Sequence, residues 1–115
     1  MGITHHIQIQ ISTTGLIGGD GGAVVQITLT NADYDHFQLT LASGDNTIAI
    51  PATAQGILFI PPTGNADAIT LKGTGGDTGK TLSKTEPSYF SLPADGQDVI
   101  LNAGAQIADC EVYIL

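Results

Sequence analysis

Residues 3–12 read ITHHIQIQIS, and this stretch alternates apolar and polar residues over its whole length. Ile3, Ile7, Ile9 and Ile11 fall on one face together with His5, and the intervening polar residues fall on the other. Successive side chains of a β-strand point to opposite faces of a sheet. The pattern therefore predicts a long strand with one apolar side.

The same alternation continues along the chain. AVVQITLTN at 23–31 and HFQLTL at 36–41 predict two more strands, the latter with Phe37, Leu39 and Leu41 inward. Further strands are predicted at the following positions: 47–50, 56–60, 67–72, 89–92, 97–102 and 108–115. No stretch shows the 3.6-residue period of a helix, and 15 glycines and 5 prolines punctuate the strands.

Nine short strands separated by turn residues predict one all-β domain spanning residues 1–115. The expected architecture is an antiparallel two-sheet sandwich, jelly-roll-like, with eight or nine strands. An immunoglobulin-like sandwich is the alternative. The chain has no Trp and a single Cys, so the Trp and cysteine-pair hallmark of antibody domains is absent.

The charge balance excludes several classes of partner. The chain carries 11 Asp+Glu against 3 Lys, has no Arg, and has a net charge of −8. Nucleic-acid binding requires a basic surface, so no nucleic-acid partner is expected, and anionic membranes are disfavoured for the same reason. No apolar run approaches the roughly 18–20 residues of a membrane span, and the N-terminus has no pattern of a secretory signal.

The total charge is also low. Only 12% of residues are charged, against about 25% in an average domain. Neutral polar groups are less costly to remove from water than charged ones, which favours burial of such a surface against a neighbouring protein.

The glycine-rich stretch GTGGDTGKT at 73–81 resembles a phosphate-binding loop only superficially. That motif requires a glycine where this chain has Thr74, and it requires a following helix that Pro87 opposes. There is also no Gly-x-Ser-x-Gly nucleophile elbow, and aromatic residues, which line sugar subsites, are only 5%. We therefore expect no enzymatic activity and no catalytic residues.

The sequence gives only weak indications of a metal site or of a reactive thiol. His5 and His6 are adjacent on a predicted strand and point to opposite faces, so no zinc site is expected from them. Asp residues cluster in predicted turns without the twelve-residue calcium-loop pattern, so we expect no cofactor, and a structural calcium ion is the open alternative. Cys110 is predicted to be a small buried hydrophobic residue.

The predicted interaction surfaces are neutral strand faces and one long polar loop, Gly73–Pro87. If the apolar faces fill the core, the outward faces carry Gln and Thr residues, and the last strand adds Glu111 and a tyrosine. The candidate interface residues are Gln8, Gln10, Gln26, Thr28, Thr30, Gln38, Thr40, Asp77, Thr78, Lys80, Tyr89 and Tyr113.

Residues 60–93 carry a family resemblance. The stretch combines Pro-Pro-x-Gly-Asn at Pro61–Asn65, Ile-Thr-Leu-Lys-Gly at Ile69–Gly73, Gly-Asp-Thr-Gly at Gly76–Gly79 and Ser-Leu-Pro at Ser91–Pro93. In these features it resembles small structural proteins of tailed bacteriophages.

The resemblance implies a β-sandwich component of the virion, assembled in the host cytoplasm, that serves as a head decoration, fibre or neck protein. The implied partners are other virion proteins, the major capsid or tail protein among them, and further copies of this chain in a homo-oligomer. The alternative is a ligand- or glycan-binding module of a host-attachment fibre.

Overall fold

The computed structural model describes residues 3–12, 22–31 and 35–115. These residues form ten β-strands and no helix. The strands are β1 (Ile3–Ser12), β2 (Gly22–Asn31), β3 (Asp35–Leu41), β4 (Gly44–Ile48), β5 (Gly56–Ile60), β6 (Ile69–Lys72), β7 (Lys80–Thr81), β8 (Ser88–Ser91), β9 (Val99–Ala103) and β10 (Ile107–Ile114). Within the described ranges there is accordingly no helical segment that could span a membrane.

Eight of the strands form two four-stranded antiparallel sheets. One sheet has the order β3-β10-β5-β8, which we call sheet B, and the other has the order β4-β9-β6-β7, which we call sheet C. The strands β1 and β2 form a separate two-stranded sheet, the β1–β2 hairpin. The predicted all-β fold with two antiparallel sheets is thus confirmed.

The strand order is that of a jelly roll. The strands β3, β4, β5 and β6 pair with β10, β9, β8 and β7 respectively, so the chain folds as one long hairpin. Pairing of β10 with β5 and of β9 with β6 rolls this hairpin into two sheets. An immunoglobulin-like sandwich would place several consecutive strands side by side, whereas within sheets B and C only β6 and β7 are consecutive neighbours.

The core lies between sheets B and C and follows the predicted alternation. Leu41, Phe59, Ile69, Leu101 and Val112 are its largest fully buried side chains. The predicted inward faces of β3 and β10 are confirmed: the inward residues of β3 are half-buried or buried, and those of β10 are buried. A substantial apolar core of this kind supplies most of the favourable free energy of folding.

Two predicted connections differ from the structure. The strand β4 begins at Gly44, inside the segment 43–46 that was predicted as a turn. The reason is that the Asn46 side chain performs the turn chemistry: its Nδ2 donates to the Ala42 carbonyl and its Oδ1 accepts from the Ala42 amide, both at 2.9 Å. The backbone of Asn46 thereby remains free to pair with Leu101. The predicted loop Gly73–Pro87 contains the short strand β7.

The β1–β2 hairpin has a continuous register. Each of the 10 residues from Ile3 to Ser12 pairs with one residue from Asn31 back to Gly22, without a bulge. In this register Ile7, Ile9 and Ile11 pair with Ile27, Val25 and Ala23, and Gln8 pairs with Gln26.

Candidate protein–protein interface

The outer face of sheet B brings together four side chains that are far apart in the sequence. The register aligns His36 of β3 with Tyr113 of β10, Tyr113 with Leu58 of β5, and Leu58 with Tyr89 of β8. All four side chains lie at least partly exposed. They form a row of aromatic and apolar groups across the whole width of the sheet, which we call the outer row.

One end of the outer row is a stacked ring pair. The rings of His36 and Tyr113 lie 3.9 Å apart with an interplanar angle of 6°. His36 Nε2 also lies 3.5 Å from Glu111 Oε1, and both side chains are more than a third exposed. An exposed contact of this kind contributes little stability.

The other end of the outer row is built on a glycine. Tyr89 lies across Gly56, and a Cβ placed on Gly56 would approach the Tyr89 ring atom Cε1 to 2.8 Å. The Tyr89 hydroxyl is buried and has no hydrogen-bond partner among the described residues. Gly56 also exchanges backbone hydrogen bonds with Leu115, whose side chain is buried. The Tyr89 ring therefore occupies the space that a side chain at position 56 would fill.

A second row, parallel to the first, is formed by Gln38, Glu111 and Ile60. Gln38 and Thr40 are exposed, whereas Ile60 is half-buried. The two rows together contain a single carboxylate and no lysine. Interfaces are enriched in aromatic residues and depleted of charged ones at their centre, and the outer face of sheet B has this composition.

The outer face of sheet C is different because it carries a charged network. Asp45 Oδ1 accepts hydrogen bonds from Asn102 Nδ2 at 2.7 Å and from Lys72 Nζ at 3.2 Å. The hydrogen bond from Asn102 and then the Lys72 ammonium lower the pKa of the Asp45 carboxyl below its usual 3.8. Burying such a charged network against a partner would carry a desolvation cost, so sheet C offers the less favourable surface.

The glycine-rich segment 73–79 is the connection between β6 and β7. Asp77 Oδ2 accepts a hydrogen bond from the Thr74 amide at 2.9 Å, and this bond lowers the pKa of the Asp77 carboxyl. Gly79 has φ +78°, and a Cβ there would lie 2.5 Å from the Leu71 carbonyl oxygen. Gly79 and Asp77 are thus explained by a tight turn that returns the chain to pair with β6.

The structure divides the predicted interface residues into three places. Gln38, Thr40, Tyr89 and Tyr113 share the outer face of sheet B. Asp77 and Thr78 lie exposed in the β6–β7 connection, and Lys80 begins β7. The remaining residues belong to the strands of the β1–β2 hairpin: Gln8, Gln10, Gln26, Thr28 and Thr30.

Sequence reasoning missed three members of the outer face, His36, Leu58 and Ile60. The run at 56–60 predicts a strand buried on both faces, but Leu58 and Ile60 are only half-buried. Their alternation with the buried Ile57 and Phe59 was hidden because both faces of β5 are apolar. The signal that could have identified them is the excess of large apolar residues beyond those needed to fill one core.

An apolar cavity of about 570 Å³ lies between the edge strands β3 and β4. Its walls carry one carboxylate, Asp35, and one hydroxyl, Thr47. The rest of the lining is Phe37, Leu39, Ile48, Ala49, Ile50, Pro51 and Ile114. Its volume and apolar walls are in the range of small-molecule sites.

No group of three His, Cys, Asp or Glu side chains within the described ranges could hold a metal ion. Asp20 and Asp33, two of the acidic turn residues, lie outside those ranges. Cys110 is fully buried, its Sγ lies 3.6 Å from the Ile107 carbonyl oxygen, and burial raises the pKa of its thiol. A thiol in this environment stays protonated at neutral pH and packs as a small hydrophobic group.

Comparison of the chain with protein-family models, with curated proteins and with solved structures finds no match.

Proposed function

We propose that this chain is a non-enzymatic structural protein of a bacteriophage particle, which docks on the capsid or tail through the outer face of sheet B. The observation that carries the proposal is the outer row, which presents two tyrosines, a leucine and a histidine on one face of sheet B. The jelly-roll strand order supports it, because this architecture recurs in viral capsid proteins. The resemblance of residues 60–93 to phage structural proteins supports it independently.

The charge distribution favours this face over the outer face of sheet C. The chain has a net charge of −8, so most approaches of an acidic partner are repelled. The outer face of sheet B carries only one carboxylate in its two rows, Glu111, and His36 Nε2 lies 3.5 Å from it. The face can therefore be buried with a smaller desolvation cost than the Asp45 network on sheet C.

The proposal is tested in two steps. Mass spectrometry of purified particles from the source phage should detect the protein, and its absence would overturn the proposed role. Labelled protein should then bind particles that lack it, and Leu58→Lys should weaken this binding by about tenfold or more, because it places a charge at the centre of the interface.

The matched control is Thr81→Lys, which adds the same charge at an exposed position of sheet C. Thr81→Lys should bind as the wild type does. Equal loss of binding in both variants would show that net charge, and not the outer face of sheet B, governs docking.

The cavity between β3 and β4 favours a second candidate, a ligand-binding module of a host-attachment fibre. Its walls are almost wholly apolar, so it fits an apolar ligand better than a glycan. A fluorescent apolar probe should bind the wild type and lose affinity in Leu39→Asp, whose side chain lines the cavity. Absence of probe binding to the wild-type protein would overturn this candidate.

A further inference from the structure

The strand β3 differs from the other strands that form the edges of sheets B and C, which are β8, β4 and β7. An edge strand presents unpaired backbone groups, and proteins commonly protect it by shortness, lysine, proline or charge. The strand β7 has two residues and begins with Lys80, β8 has four residues and follows Pro87, and β4 has five residues and carries Asp45. The strand β3 is the longest of these edges, with 7 residues.

The free edge of β3 is suited to pairing with another strand. Its sequence, DHFQLTL, contains no lysine, proline or glycine, and its one carboxylate, Asp35, belongs to its first residue. The register irregularity between β3 and β10 adds a residue to β10, between Ile107 and Cys110, and none to β3. Among the described residues, β3 pairs with β10 alone. Alternate residues of an antiparallel strand direct their backbone groups to opposite sides, so every second residue of β3 directs them away from β10.

The core is open beside this edge. Phe37 and Leu39 belong to the inward face of β3 but are only half-buried, whereas Leu41 is buried. Both half-buried side chains line the cavity of about 570 Å³ between β3 and β4. The buried Ile48 and Ile50 line the same cavity. Side chains that enter the cavity alongside β3 would therefore meet apolar groups.

The free edge and the cavity together define the chemistry of one occupant. An extended peptide fits both, because its backbone pairs with the edge while every second side chain enters the cavity. A small apolar molecule would fill the cavity and leave the edge of β3 unpaired. A second copy joined through its own β3 would pair the edge, but its inward side chains would lie over its own core and leave the cavity open.

The charge at the cavity favours one kind of peptide. Asp35 is exposed, follows the same alternation as Phe37 and Leu39, and is the single charged residue in the cavity lining. The whole chain has a net charge of −8, which repels an acidic segment. A lysine or arginine level with Asp35 would instead meet a carboxylate at the end of an apolar groove.

We propose that the free edge of β3 binds an extended segment of another protein, which adds a strand to sheet B. The segment carries apolar residues at alternate positions, which fill the cavity, and a basic residue level with Asp35. This contact is distinct from docking through the outer face of sheet B, and it does not rest on the virion role.

A pool of synthetic peptides tests the contact on the full-length protein. Its members have the 7-residue length of β3, with Val, Leu, Ile or Phe at alternate positions, threonine between them and a terminal lysine. Fluorescence anisotropy should detect saturable binding. Hydrogen exchange measured by NMR should then show new amide protection at alternate residues of β3 and none in β8, the other edge of sheet B. Absence of binding by every member, or equal protection in β3 and β8, would overturn the proposal.

Two N-methylated forms of the best-binding peptide separate strand addition from adsorption of apolar groups. N-methylation removes an amide donor, and only one alternate set of amides in an added strand faces β3. Methylation of that set should weaken binding by about tenfold or more, whereas methylation of the other set should weaken it by less than about threefold. Equal losses for the two forms would contradict strand addition.

The role of Asp35 is tested by a charge reversal. Asp35→Lys should weaken binding of the lysine-containing peptide by about threefold or more, because the pair lies at an exposed position. Glu86→Lys is the matched control, since it makes the same charge change at an exposed residue near β8. This control should bind as the wild type does, and equal loss in both variants would show that net charge alone attracts the peptide.

The other occupants and the proposed functions give different outcomes. Binding of a fluorescent apolar probe without binding of any peptide would assign the cavity to a small ligand and overturn the inference. A dimer that the peptide dissociates in analytical ultracentrifugation would make a second copy the occupant and overturn the choice of partner. Peptide binding by a protein that is absent from particles would overturn the virion role alone.

Discussion

At the scale of single residues, the ring of Tyr89 contributes favourable packing to the folded state, whereas its hydroxyl group is expected to destabilise that state. The ring packs on Gly56, whereas the hydroxyl is buried and has no partner in the described part of the chain. Because an unsatisfied buried polar group costs free energy, we expect Tyr89→Phe to raise the free energy of unfolding by roughly 1 kcal/mol. Urea denaturation measures this, with the half-exposed Tyr113→Phe as the control. A destabilised Tyr89→Phe would reveal a partner for the hydroxyl.

Gly56 is required because the tyrosine ring occupies the space of a side chain. A methyl group at this position would force Tyr89 away from the sheet, so we expect Gly56→Ala to lower the free energy of unfolding by about 1–3 kcal/mol. In a Tyr89→Ala background the same substitution should cost much less, because the clash is gone. A double-mutant cycle in urea measures the coupling, and additive effects would exclude the direct contact.

The Asp45 carboxyl is expected to make the free energy of unfolding depend on pH in the acid range. Its pKa is lowered in the folded state, first by Asn102 and then by Lys72. The corresponding stabilisation is present above the unfolded-state pKa and is lost as the pH falls through the lower folded-state pKa. We expect stability to decline below pH 4, and Asp45→Asn to show a shallower decline. Urea titrations from pH 2 to 6 measure this, and a slope no shallower than that of the exposed Glu86→Gln control would contradict it.

At the scale of elements, the β6–β7 hairpin depends on one glycine of a glycine-rich segment. Gly79 has a left-handed φ of +78° and lies against the Leu71 carbonyl, so Gly79→Ala should cost about 1–3 kcal/mol of stability. Gly76 has open space around its Cα, and Gly76→Ala should change stability by less than about 0.5 kcal/mol. Thermal denaturation compares the two variants, and equal effects would show that segment flexibility matters more than this contact.

The strand β4 shows how one side chain can shift an element boundary. Ser43-Gly44-Asp45-Asn46 has the composition of a turn, and such residues are usually assigned to loops. Asn46 Nδ2 also donates to the Leu101 carbonyl at 3.1 Å, which ties the start of β4 to the neighbouring strand. The contact partner lies 55 residues away, so local sequence gives no sign of it.

At the scale of the whole molecule, the jelly roll requires its first strand, β3, to pair with its last strand, β10. Asp35 of β3 pairs with Ile114 of β10, and β10 then lies between β3 and β5 at the centre of sheet B. The entropy cost of closing the long intervening chain must be met before such non-local pairing contributes stability. We therefore expect refolding to take milliseconds to seconds. Stopped-flow fluorescence of the tyrosines measures this, and a complete refolding phase in microseconds would contradict the role of long-range pairing.

The sequence by itself determined the class of the fold and most of its strands. Alternation of apolar and polar residues is a local property, and it predicted the buried face of β10 at Cys110, Val112 and Ile114. It also predicted candidate interface residues that the structure places on one face, Gln38 and Tyr113 among them. These results follow because the side-chain period of a strand is two whichever strand lies beside it.

Only the tertiary structure decided which strands are neighbours and therefore which residues meet. His36, Leu58 and Tyr89 join Tyr113 in one row because β10 and β5 are inserted between β3 and β8. The strand at 3–12, which carries the clearest alternation in the sequence, lies outside both sheets of the sandwich. An amphipathic pattern shows that a strand must cover its apolar side, but it does not show what covers it, because that choice depends on contacts between residues distant in the chain.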